Sequence, residues 1–313
     1  MFERDSRYVG AEGLRVRYRV RGPRSAPPLV LLHGIMGNAW EWDAAVERLL
    51  PRFRVYAPEL RGHGRTEWRQ PYTVPRLGDD VAALVRALDL WDVTVLGHSL
   101  GGLAGIFAVA GHPGRFGRLA VVDVGPRSLV GPAAAGVAAA LRRFARRSYA
   151  DPEEALAEWL GGDPYARSEL LRHYVTHGLA RGRDGLYRWR YDAAGLLRFV
   201  EDPVEPAAVE DALRRIEVPT LVLRGRHSPV LPAAEAVAMT RLLRRGELRE
   251  VPGASHDMGV QQPEAVAAAV LEFADGAPRR GLVGGRRPPT ADASGGAASR
   301  RPAHLADCRV AVL

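Results

Sequence analysis

The pentapeptide Gly97-His98-Ser99-Leu100-Gly101 follows a short apolar run, Val93-Thr94-Val95-Leu96, and precedes a segment of helical composition over residues 100–110. A G-x-S-x-G sequence at a strand-to-helix junction puts a serine hydroxyl at the tip of a sharp turn, where it can act as a nucleophile. A larger side chain two positions to either side would collide with neighbouring backbone, and Gly97 and Gly101 remove that obstacle. The amino end of the following helix directs partial positive charge at the place where an oxyanion would develop. The plainer alternative is a Gly-Ser turn that only caps a helix.

A serine hydroxyl needs a base to take its proton. Val251-Pro252-Gly253-Ala254-Ser255-His256 lies between the last short strand candidate and a helix starting at Pro263. That order sets His256 on a loop at the carboxyl edge of a parallel sheet, making it the best placed of the nine histidines. An ordinary exposed loop histidine is the competing interpretation. An oxyanion hole needs backbone N–H groups aimed at one point. His33-Gly34-Ile35-Met36-Gly37 follows the apolar run 29–32 and can supply one from Ile35, and Leu100 can supply the other. His33 itself reads as structural.

The elements that must position these groups follow from periodicity. Residues 14–20 alternate apolar and basic side chains, as in an edge or hairpin strand with one solvated face. Residues 29–32, 93–96, 119–122 and 220–223 are short apolar runs, the pattern of parallel strands covered on both faces. Helical patterns over 44–50, 77–90, 100–110, 232–243 and 263–273 separate them, several with Pro near the first turn. The fold class expected is therefore α/β, a doubly wound, mostly parallel sheet. Residues 126–216 break the alternation: no convincing strand is found there, and 133–147, 152–160, 168–177 and 207–216 have helical spacing or start signals. The division expected is a core of residues 1–125 and 217–276, a helical lid of 126–216 at the ligand-binding edge of the sheet, and a disordered basic tail of 277–313, rich in Gly, Pro, Ala, Ser and Arg.

Four motifs in this order, His33-Gly34, Arg61-Gly62-His63-Gly64, Gly97-His98-Ser99-Leu100-Gly101-Gly102 and Gly253-Ala254-Ser255-His256, resemble the α/β-hydrolase family over about residues 8–274. Members with an aspartate nucleophile open epoxides or remove halide. Ser99 stands at that position here, so the resemblance implies cleavage of an ester, thioester, lactone or carbon–carbon bond. In many relatives the acid of the catalytic triad follows the strand equivalent to 221–223, yet Gly225-Arg226-His227-Ser228-Pro229-Val230-Leu231-Pro232 contains no carboxylate. Some members place the acid one strand earlier, where Asp123 stands. Asp123 is then either the group that orients His256 or a brace for its own turn, Asp123-Val124-Gly125-Pro126.

Composition narrows the remaining classes. The formal charge of +8 comes from 44 basic residues, all arginine, against 36 acidic ones. Residues 277–313 hold seven arginines and two aspartates, a net +5 of that total, so the rest is close to neutral and nucleic acid is not an expected partner. No apolar run approaches the roughly 20 residues of a membrane span, and no secretory signal is recognised at the amino end, so a cytoplasmic protein without membrane contact is expected. Cys308, the one cysteine, allows no intrachain disulfide and is given no catalytic role. His173 and His177 have the i, i+4 spacing of zinc ligands, but H-E-x-x-H is incomplete, so neither metal nor cofactor is expected. Trp40, Trp42, Met36, Trp159, Tyr187 and Trp189 can line an apolar pocket or pack a core. The function expected is a serine hydrolase acting on an apolar small-molecule ester, lactone or thioester through an acyl-enzyme. The alternatives are a carbon–carbon hydrolase or cyclase acting on a natural-product scaffold with the same Ser-His pair, and a ligand-binding protein of hydrolase fold without turnover.

Overall fold

In the computed structural model, which describes residues 6–276 and 309–312, the alternation of apolar runs and helical segments becomes a twisted sheet with helices on both faces. β1 (Ser6–Ala11) and β2 (Leu14–Arg21) form an antiparallel hairpin. There follow β3 (Pro28–Leu32), α1 (Asp43–Leu49), β4 (Arg54–Pro58), α2 (Val74–Ala87), β5 (Val93–His98), α3 (Leu100–Gly111) and β6 (Phe116–Val122). Five helices come next, α4 (Gly131–Ala145), α5 (Pro152–Leu160), α6 (Ser168–Gly178), α7 (Ala193–Glu201) and α8 (Pro206–Arg215), with a hairpin of β7 (Leu179–Arg181) and β8 (Tyr187–Trp189) between α6 and α7. The chain then returns to the sheet with β9 (Thr220–Gly225), α9 (Ala233–Leu242), β10 (Gly246–Val251), α10 (Met258–Gln261), α11 (Pro263–Gly276) and β11 (Arg309–Val312). The strand order is β1-β2-β4-β3-β5-β6-β9-β10-β11, parallel from β4 onward.

The continuous apolar runs are explained by the core on each side. Within β3, Val30 and Leu32 join the cluster under α2, α3, α8 and α9, while Leu29 and Leu31 join the one under α1 and α11. β6 divides likewise, Leu119 and Val121 to the first, Ala120 and Val122 to the second. With side chains alternating between two buried faces, both registers are mostly apolar. α3 is apolar around its circumference and nearly all of it is buried, as its central place against the sheet requires.

Three expectations change. β2 is an internal strand between β1 and β4, and Arg17 and Arg19 are buried rather than solvated. Each is compensated by a carboxylate and an aromatic face: Arg17 pairs with Glu59 at 2.9 Å, Arg19 pairs with Asp43, and both guanidinium groups lie over Trp40. Residues 126–216 do contain strands, because the three-residue pair β7 and β8 is too short to register as alternation, and α8 packs on α3 and α9 in the helical layer of the sheet. The expected disorder over 277–308 lies outside the described residues, as does Cys308; at 309–312 the backbone instead pairs with β10, Glu247 opposite Arg309. Among the described residues no helix is long and apolar enough to cross a membrane.

Candidate active site

β5 ends in a turn that only small residues permit. Ser99 has φ 49° and ψ −118°, a sparsely populated conformation for a residue with a side chain. A Cβ on Gly97 would stand 2.3 Å from the carbonyl oxygen of Gly101, and one on Gly101 would stand 2.6 Å from those of Leu32 and His33. The turn is held by the Ser99 N–H, which donates to the Val122 carbonyl at 3.0 Å on the neighbouring strand. Leu100 is the first residue of α3, so its N–H has no carbonyl four residues back to bond. In the loop after β3, the N–H groups of Gly34, Met36 and Gly37 are bonded to the Glu41 carboxylate, His63 Nε2 and the Gly34 carbonyl. Among the described residues the Ile35 N–H has no such acceptor.

His256 and Asp123 come together although 133 residues separate them: His256 Nδ1 lies 2.8 Å from Asp123 Oδ2. Asp123 directly follows β6 with φ 53°, has no exposed surface, and receives two further donors, the Gly225 N–H at 3.0 Å on Oδ1 and the Ser228 hydroxyl on Oδ2. Ser228, in the loop after β9 that contains no carboxylate, thus supports one arriving from the adjacent strand. Its hydroxyl oxygen also accepts the N–H groups of Val230 and Leu231, both at 3.0 Å. Ser99 Oγ and His256 are not hydrogen-bonded to each other; in ligand-free sites this contact is commonly long and tightens only in the substrate complex.

Glu41 is a functional-site candidate that sequence reasoning missed. One oxygen accepts the Gly34 N–H at 2.9 Å and the other bonds His98 Nδ1 at 2.8 Å, so a single buried carboxylate ties the loop bearing Ile35 to the residue before Ser99. Burial opposes charge on the His98 ring, but the charge and hydrogen bond of Glu41 outweigh it and raise His98 from its ordinary 6.5 to about 9. Burial lifts the carboxyl of the neighbouring Asp257 above its ordinary range. No signal in the sequence singles out Glu41, because its partners are 7 and 57 residues away.

His33 Nε2 accepts the Leu60 N–H at 2.9 Å, which ties the end of β3 to the loop after β4. Its neighbour His63 accepts the Met36 N–H at 3.2 Å, and burial pushes His63 down to about 4. Below its ordinary value of 6.5 the unfolded chain takes up a proton that the folded one refuses. The stability difference is therefore absent above 6.5 and accrues as pH falls from 6.5 towards 4, about 3 kcal/mol by the end. Denaturant unfolding between pH 7 and 4 is expected to show this loss, and His63→Gln, which keeps an acceptor for Met36, is expected to shallow the slope. An equal slope in both proteins would refute the assignment.

Residues of the insertion contact the loops around this site. Tyr174 donates its hydroxyl to the Met36 carbonyl at 3.3 Å, the Arg167 N–H bonds the Val260 carbonyl at 3.1 Å, and Gln261 bridges the Ser255 N–H to Asp163. Trp159, Leu171, Tyr174 and Val260 line a cavity shared with Glu41, His98 and Asp257. His173 and His177 sit apart from it: His173 Nε2 bonds Asp43 at 2.8 Å, and His177 stacks on Trp40.

The sequence profile described as the alpha/beta hydrolase family matches residues 29–269. A non-heme chloroperoxidase of Burkholderia pyrrocinia is 29% identical over 275 residues, covering 84% of this chain and 96% of that protein. A 3-oxoadipate enol-lactonase of Acinetobacter baylyi is 28% identical over 263 residues, covering 83% and 93%. Among solved structures, that of an E-2-(acetamidomethylene)succinate hydrolase superposes with a TM-score of 0.78 at 26% identity, covering 86% of this chain and 98% of that one. With the profile spanning most of the chain and the doubly wound sheet in place, the chain belongs to the alpha/beta hydrolase family and is an enzyme of the α/β-hydrolase type.

Proposed function

We propose that the protein is a serine hydrolase that cleaves a carboxylic ester, lactone or thioester through an acyl-enzyme. Ser99 Oγ attacks the carbonyl carbon while His256 Nε2 takes its proton, and the N–H groups of Ile35 and Leu100 receive the negative charge on the carbonyl oxygen. Asp123 holds the imidazole in the tautomer that leaves Nε2 free, and it stabilises the imidazolium that forms. The imidazolium then protonates the leaving oxygen or sulfur, and water releases the acyl group by the same path. The helical insertion serves as a lid: its Trp159, Leu171 and Tyr174 line, with Val260 of α10, a cavity of only ≈ 20 Å³ beside the site, so these side chains must part to admit the apolar part of a substrate. No cofactor takes part in these steps.

The single observation that carries this reading is the 2.8 Å contact between His256 Nδ1 and Asp123. An acid supplied from the end of β6 removes the motive for a bare Ser-His pair, and with it the motive for less demanding chemistry or a binding protein. The relatives named as a lactonase and a hydrolase agree in reaction class. A fluorophosphonate probe is expected to label Ser99, with labelling lost in Ser99→Ala, and p-nitrophenyl esters are expected to be turned over. A folded protein left unlabelled at Ser99 would refute the proposal. The relative named a non-heme chloroperoxidase favours a second reading, in which peroxide replaces water as acyl acceptor; peracid formed on adding peroxide to the ester assay distinguishes it.

A further inference from the structure

Beside Ser99 lies a constellation that acyl transfer does not use in full. His98, His256 and Asp257 each offer a ligand atom, and the three atoms lie within 4.8 Å of one another. The two imidazole rings have centroids 4.6 Å apart. In both rings Nδ1 is bonded to a buried carboxylate at 2.8 Å, that of Glu41 for His98 and that of Asp123 for His256. Nε2 is thus the ring nitrogen not engaged by a carboxylate in each, and His98 Nε2 is fully buried without a hydrogen-bond partner; below about pH 9 it carries a proton, which an incoming cation must displace. A histidine held at Nδ1 by a carboxylate and open at Nε2 is oriented as a metal ligand, because the carboxylate fixes the tautomer and makes Nε2 a stronger donor. Two such histidines and one carboxylate form a nitrogen and oxygen set suited to zinc and its neighbours in the first transition row. Glu41, Asp123 and Asp257 also supply three acidic groups around the position a cation would take. The adjoining cavity of ≈ 20 Å³, lined by Glu41, His98 and Asp257, has room for about one water as a fourth ligand. Tetrahedral ligation at about 2.0–2.1 Å spaces donor atoms roughly 3.3 Å apart, so the set must draw in by about 1 Å or more; the His256 ring, 21% exposed on its loop, has the freedom to do so.

We propose that His98, His256 and Asp257 bind one divalent late-transition cation of the zinc class, and that its binding switches hydrolysis off. The cation takes the Nε2 lone pair of His256, which is then no longer available to the Ser99 proton. The inhibitory half of the proposal rests on the serine-hydrolase reading; the binding half does not.

The test is calorimetric titration of the tag-free full-length protein with Zn²⁺ in mildly alkaline, chelator-free buffer, with Co²⁺ absorption as the report on ligand geometry. One Zn²⁺ per chain and the bands of a four-coordinate Co²⁺ site are expected, with no heat from Mg²⁺, which prefers oxygen ligands. Asp257→Asn and His98→Gln are each expected to weaken Zn²⁺ binding by at least about tenfold, since even outer-shell partners of a metal site are worth 10–100-fold. Asp257→Asn is expected to need proportionally more Zn²⁺ for the same fractional loss of its own metal-free rate. Absence of binding at millimolar Zn²⁺, or binding undiminished in both variants while they melt like wild type, overturns the site. Binding with the expected residue dependence but without inhibition of ester turnover keeps the site and overturns His256 as the base.

Discussion

Ser99→Ala is expected to lower kcat by about 10⁶-fold, the cost of removing a serine nucleophile from a working triad, with the rate that remains over water coming from the Ile35 and Leu100 N–H groups. Folding should survive, because the turn depends on Gly97 and Gly101 and on the Ser99 backbone rather than on its hydroxyl. The conformation at Ser99, φ 49° and ψ −118°, adds a second readout. Alanine keeps the Cβ and the strain, whereas Ser99→Gly relieves it and should be more stable to unfolding than Ser99→Ala, by on the order of 1 kcal/mol. Ester turnover within tenfold of wild type in a folded Ser99→Ala protein would remove Ser99 from the mechanism.

Asp123→Asn is expected to lower kcat by about 10⁴-fold, because an amide facing His256 Nδ1 can donate to it and favour the tautomer that carries its proton on the side of Ser99. Ser228 supplies a control. Its hydroxyl bonds Asp123 Oδ2 from the loop after β9, so a carboxylate placed there stands beside the one it replaces. The double variant Asp123→Asn, Ser228→Asp should therefore recover part of the lost rate, while Ser228→Asp alone, with two carboxylates crowded together, should be slower than wild type. Steady-state kinetics on one ester decides it: Asp123→Asn at wild-type kcat, with a lowered melting temperature only, would make Asp123 a brace for its turn.

The parts of this protein legible in the sequence are those fixed by short-range sterics and by strand period. Gly97 and Gly101 could be read as relief for Ser99 because the atoms they avoid, the Gly101 carbonyl and the end of β3, belong to the turn itself or to the strand beside it. The runs in β3, β5, β6 and β9 announced strands covered on both faces, since a side chain in either register meets a core. That placement set the tips bearing Ile35, Ser99 and Asp123 at one edge.

What sequence alone left open was decided by contacts between distant segments. Alternation in β2 distinguishes its two faces but says nothing of what covers them, and Trp40, Asp43 and Glu59 turned the arginine face into an interior. β7 and β8 span three residues each, too few for a period to show. Which loop N–H stays free near Ser99 depended on Glu41 and His63 engaging its neighbours. The choice between brace and partner for Asp123 needed the approach of His256 to a strand end 133 residues earlier in the chain. Local sequence carries steric and periodic information, but hydrogen bonds between side chains on separate loops depend on where the packed sheet brings those loops, and only the tertiary structure determines that.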